Sequence, residues 1–73
     1  KKGEMGKAVV ELEKAHRLAP EDPTIAEHLG DAYAHSKMFN KAKEMYGRAF
    51  KLDPKKSELK EKIKKVQKEK KDE

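Results

Sequence analysis

Three residues with metal-binding chemistry share one helical face: His28, Asp31 and His35, at i, i+3 and i+7. Two imidazoles and a carboxylate form a donor set suited to zinc or nickel. The spacing argues against a shared ion, because positions 28 and 35 lie two helical turns, ~10 Å, apart along the axis. The chain has no cysteine, so neither a thiolate metal site nor a disulfide framework is available. Catalysis has little support elsewhere. No glycine-rich phosphate loop occurs, and the four glycines suit turns or close packing. A chain of 73 residues with 34% apolar content is near the lower size for one core, which disfavours a water-excluding catalytic cleft. No enzyme activity, metal or cofactor is expected.

Charge is placed unevenly. Residues 1–54 hold ten Lys/Arg against nine Asp/Glu, whereas residues 55–73 hold nine Lys against five acids. The basicity therefore belongs to the tail and is not a basic face on the rest of the chain. Nucleic-acid recognition gains little from that tail. Its lysines alternate with Glu58, Glu61 and Glu69, and neither arginine nor an aromatic ring occurs after Phe50, so bases have no stacking platform. A membrane role is also disfavoured: no run approaches the ~20 apolar residues of a spanning helix, and Leu59, Ile63 and Val66 are needed to cover the core. No signal-type stretch follows the first residues, so the cytoplasm is the default expectation.

The elements that must position these residues read as helices. From about Glu4 to Leu18, Met5, Ala8, Val9, Leu12 and Ala15, with His16 or Leu18, recur at spacings of three and four. Ala19-Pro20-Glu21-Asp22-Pro23 breaks that helix and caps the next, with Asp22 at the N-cap and Pro23 in the first turn. The second helix is expected from about Pro23 to His35 or Ser36, with an inward stripe of Ile25 or Ala26, Leu29, Gly30, Ala32 and Tyr33. A third runs from Phe39 or Asn40 to Leu52 and carries Ala42, Met45, Tyr46, Ala49 and Phe50. Asp53-Pro54 repeats the stop, and a last helix begins near Ser57 with a thin stripe of Leu59, Ile63 and Val66. Gly30, Ala42 and Ala49 are small enough for backbones to approach, and Leu29, Tyr33, Tyr46 and Phe50 fill the spaces beside them. The fold class is all-α.

A shift of 34 residues maps Ala8, Leu12, Ala15 and Pro20 onto Ala42, Tyr46, Ala49 and Pro54. With Ala26, Leu29, Gly30 and Tyr33 ahead of it, the second set resembles the tetratricopeptide repeat at seven of eight signature places. The resemblance implies antiparallel helix-turn-helix units of an α-solenoid. Residues 23–56 would form one complete repeat, and residues 1–22 the second half of a preceding one with Gly3 at its turn. Ala26 stands where the family often has tryptophan, and Lys37 where the turn often has glycine, which suggests a different turn geometry. Lys64 and Gln67 replace the packing glycine and tyrosine of a further repeat. Residues 57–73 therefore read as a polar-faced capping helix with a charged, frayed end, and the whole as the C-terminal end of a longer array.

The resemblance also implies a concave groove lined by Thr24, Glu27, Asp31, Ala34 and His35, which helical geometry places on one strip opposite the buried stripe. Glu58, Glu61 and Lys65 would extend it. Glu27, Asp31, Glu58 and Glu61 would together favour a partner with basic groups. Some co-chaperone members of the family clamp a chaperone's C-terminal carboxylate with lysine and asparagine at two of these places. Acids occupy those places here, so that function is not carried over.

The expected function is a protein-protein interaction scaffold that binds a peptide or protein segment in this groove. A competing expectation is self-association as a homo-oligomer through Met5, Val9, Leu12 and His16 of the first helix, a face that normally packs inward. Weak electrostatic binding of nucleic acid through the tail ranks behind both.

Overall fold

The computed structural model describes residues 2–69. Four helices follow in order: α1 (Lys2–Leu18), α2 (Pro23–His35), α3 (Phe39–Leu52) and α4 (Glu58–Glu69). They are antiparallel, and each packs on the next. No helix among the described residues is long and apolar enough to cross a membrane.

Local signals account for the boundaries. Asp22 has extended backbone, and its carboxylate accepts hydrogen bonds from the N–H groups of Thr24 at 2.9 Å and Ile25 at 3.3 Å, two donors that α2 leaves without intrahelical partners. Pro23 then starts the helix where its missing N–H costs nothing. At the end of α3, Asp53 accepts from the Lys55 N–H at 3.3 Å, which folds the chain around Pro54 toward α4. Backbone bonds from Leu59 to the Lys56 carbonyl and from Lys60 to the Ser57 carbonyl open α4.

Two turn expectations are corrected. Helix α1 runs back through Gly3 to Lys2, so Gly3 is helical and forms no turn. Lys37, expected to change the α2–α3 turn, instead adopts the left-handed conformation that glycine takes readily, with φ 61°. The Lys37 N–H bonds the Ala34 carbonyl and the Met38 N–H bonds the Tyr33 carbonyl, the paired pattern of a Schellman ending. Two backbone hydrogen bonds thus hold a lysine where the lack of a Cβ would be an advantage.

The core is a cluster of Ala26, Leu29, Tyr33, Ala42, Met45, Tyr46, Ala49, Leu59 and Val66, drawn from α2, α3 and α4. Leu29 and Leu59 are its largest fully buried side chains. Close approach of α2 and α3 depends on Gly30. A Cβ built there would lie 2.7 Å from both Cδ1 and Cε1 of Tyr46, inside any tolerable contact. Val9 and Leu12 of α1 pack half-buried against the cluster. Among the described residues, the large apolar side chains that α1 leaves exposed are Val10 and Leu18.

Candidate functional site

The outward strip of α2 meets α4, and that encounter decides what its acids can do. Glu27 is only 5% exposed. One carboxylate oxygen accepts from Lys56 Nζ and the other from Lys62 Nζ, both at 2.8 Å. Lys62 also reaches Asp31, at 3.1 Å to Oδ1 and 3.2 Å to Oδ2. Asp31 Oδ1 accepts a second bond from the Tyr46 hydroxyl at 2.5 Å. The Lys62 ammonium lies 5.6 Å from the centre of the Tyr46 ring, so cation and ring attract as well. Lys56, Glu27, Lys62, Asp31 and Tyr46 thus form one connected network across the turn, α2, α4 and α3.

The electrostatics follow from that geometry. Burial pushes the Glu27 carboxyl up, but hydrogen bonds and charge from Lys56 and Lys62 outweigh it and hold the group at about 2. The hydrogen bond to Glu27 raises Lys56. Burial lowers Lys62, yet its bonds to Glu27 and Asp31 leave it raised. Burial and the bond to Asp31 raise the Tyr46 phenol. On the other side of α2, burial and a 2.5 Å bond to Glu13 of α1 push Tyr33 up to about 12.

Beside the network, α2, α3 and α4 leave an open cleft of about 400 Å³. Its apolar lining includes Ala34 of α2, Phe39 of α3 and Val66 of α4. Its charged lining comes from Asp31, Lys37, Lys62, Lys65 and Glu69, with His35 beside them.

Of the residues expected to line the groove, Asp31, Ala34, His35 and Lys65 come together at this cleft. Thr24 is exposed at the start of α2, and Glu58 and Glu61 are exposed in the first turn of α4; none of the three lines the cleft. The picture of open acids is corrected for Glu27 and Asp31. Both are already paired with lysine, and Glu27 is sealed from solvent. His28 is exposed, and His16 is half-buried with its Nδ1 lacking a hydrogen-bond partner.

Sequence reasoning missed Lys56, Lys62, Tyr46 and Phe39 as parts of this site. Lys56 and Lys62 meet Glu27 from 29 and 35 positions away, a distance that a search for i, i+4 partners on one helix does not cover. The one usable signal was the repeat register, which lays the helix after Pro54 alongside α2.

No curated protein matches this chain. Within it, residues 24–56 match the family profile described as the tetratricopeptide repeat. That segment contains the Gly30–Tyr46 contact, the Asp31–Tyr46 bond and the α2–α3 turn, and it is a tetratricopeptide repeat.

Proposed function

We propose that this protein is an interaction scaffold that holds a peptide or protein segment in the cleft between α2, α3 and α4. The observation that carries the reading is a tetratricopeptide repeat, generally a protein-interaction module, bordered by an open cleft of about 400 Å³ with a mixed apolar and charged lining. Asp31, Ala34, His35 and Lys65 are its contact residues; Thr24, Glu58 and Glu61 would meet only a segment long enough to run beyond it. Glu27 holds the scaffold together and does not touch the ligand. Residues 57–73 act as the cap of the repeat in this reading.

Site-specific photo-crosslinking tests it. A crosslinker at His35 should capture a discrete partner, whereas one at Lys14 on α1 should not, and Phe39→Glu should abolish the product. Equal capture from both positions would refute the cleft as the binding surface.

A second reading has its own observation. Val10 is 49% exposed and Leu18 87% exposed on α1, and apolar side chains left in water favour pairing of two copies. The half-buried Val9 and Leu12 would form the floor of such a contact, and His16 its edge. Sedimentation of the native chain and of Val10→Glu at high concentration distinguishes the readings: the second requires a dimer that the substitution removes.

A further inference from the structure

We infer that Lys62 sets the charge selectivity of the cleft, closing it to basic segments and leaving it suited to one that presents a carboxylate beside an apolar side chain. The inference rests on the cleft being the binding surface. It starts from the saturation of the α2 acids. Each Glu27 oxygen already accepts a lysine hydrogen bond, and each Asp31 oxygen accepts one from Lys62, with the Tyr46 hydroxyl added on Oδ1. A basic segment approaching these carboxylates would have to displace an ammonium that contacts two acids and an aromatic ring at once.

The remaining charge in the cleft has the opposite bias. Among the described residues, Lys37 at the α2–α3 turn and Lys65 on α4 are exposed and line it, against one exposed acid, Glu69. Lys65 and Glu69 are four apart on one helix, so Glu69 offsets part of the Lys65 charge, while Lys37 forms no ion pair among the described residues. The apolar residues Ala34, Phe39 and Val66 complete the complementarity by offering a place for an aliphatic or aromatic side chain. An exposed ion pair contributes little, ~0.2–1 kcal/mol, so each lysine should change affinity by only about 1.5- to 5-fold. Removing Lys62 acts differently, since it restores an unpaired acid and reverses the preference.

The probes are two short capped peptides, one of alternating Glu and Leu and one of alternating Lys and Leu, titrated into the isotopically labelled full chain and followed by NMR. The acidic peptide should shift resonances of Ala34, His35 and Val66, bind the native chain more tightly than the basic peptide, and weaken with added salt. Lys65→Glu should weaken the acidic peptide about 2- to 5-fold. Lys62→Gln should gain affinity for the basic peptide at the same residues. Because Lys62→Gln can loosen α4, circular dichroism must accompany it; Lys65, which makes no ion pair among the described residues, provides the variant that leaves the fold intact. If the basic peptide occupies the cleft as tightly as the acidic one, the selectivity inference fails while the cleft reading stands. If neither peptide shifts the cleft resonances, both fail.

Discussion

The Tyr46 hydroxyl donates a 2.5 Å hydrogen bond to Asp31 Oδ1, joining a packing aromatic of α3 to an acid on the outward side of α2. The same ring closes over Gly30 one residue earlier on α2. One side chain therefore fixes both the separation of the two helices and the orientation of a groove residue. The bond also keeps Asp31 within reach of Lys62, so packing inside the repeat and docking of α4 are physically linked.

Gly30→Ala should destabilise the chain by about 1–3 kcal/mol, because its Cβ would overlap the Tyr46 ring and force it outward. Urea unfolding monitored by circular dichroism measures this directly. An unchanged midpoint would mean that α2 and α3 do not approach as described.

Glu27→Gln should cost about 1–3 kcal/mol, since it removes the charge that two lysines are bonded to, while those lysines retain access to water. The pH dependence has a definite sign. Folding lowers the carboxyl from 4.5 to about 2, so its stabilisation is present above 4.5 and is lost as pH falls through about 2. Acid unfolding of the native chain should steepen in that window, and the Glu27→Gln curve should lack that component.

Spectrophotometric titration reads the chain's two tyrosines alone. Both phenols are raised above their ordinary value of 10, Tyr33 to about 12, by burial and by bonds to Glu13 and Asp31. Stability from these neutral phenols is complete below pH 10 and is lost as pH rises through the folded values. Phenolate absorbance should stay low near pH 10 in the folded chain and appear only together with unfolding. A simple titration centred on 10 would show that the two phenols are not buried and bonded in this way.

Lys37→Gly should stabilise by about 0.5–1 kcal/mol. A non-glycine residue pays ~1–2 kcal/mol in left-handed backbone, and the greater chain entropy of glycine returns part of that difference. Thermal melts of the two chains compare it, and a lowered Tm in the glycine variant would contradict the turn geometry.

The helices were legible because their signals are local. Asp22-Pro23 marks the start of α2, Asp53-Pro54 the end of α3, and the apolar spacing between them identifies Ala26, Leu29, Ala42 and Ala49 as core. The site was only half legible. Asp31, Ala34, His35 and Lys65 could be placed on a common strip from helical geometry and the repeat register, but the state of its charges depends on tertiary neighbours. Glu27 reads as an outward acid on its own helix and becomes buried only when Lys56 and Lys62 arrive from beyond Pro54. Lys37 misled for a related reason: two backbone hydrogen bonds override its intrinsic preference, and neither is encoded in the residue type.

The α2 acids are committed to holding α4, and a double-mutant cycle on Glu27 and Lys62 tests that most directly. Unfolding free energies of the native chain, Glu27→Gln, Lys62→Gln and the double variant give their coupling. Two side chains in direct contact at 2.8 Å should couple by about 1–2 kcal/mol, so that the second substitution costs much less once the first is made. Additive costs, with coupling below ~0.5 kcal/mol, would show that Lys62 does not hold Glu27 in solution and would contradict the commitment of the α2 acids to α4.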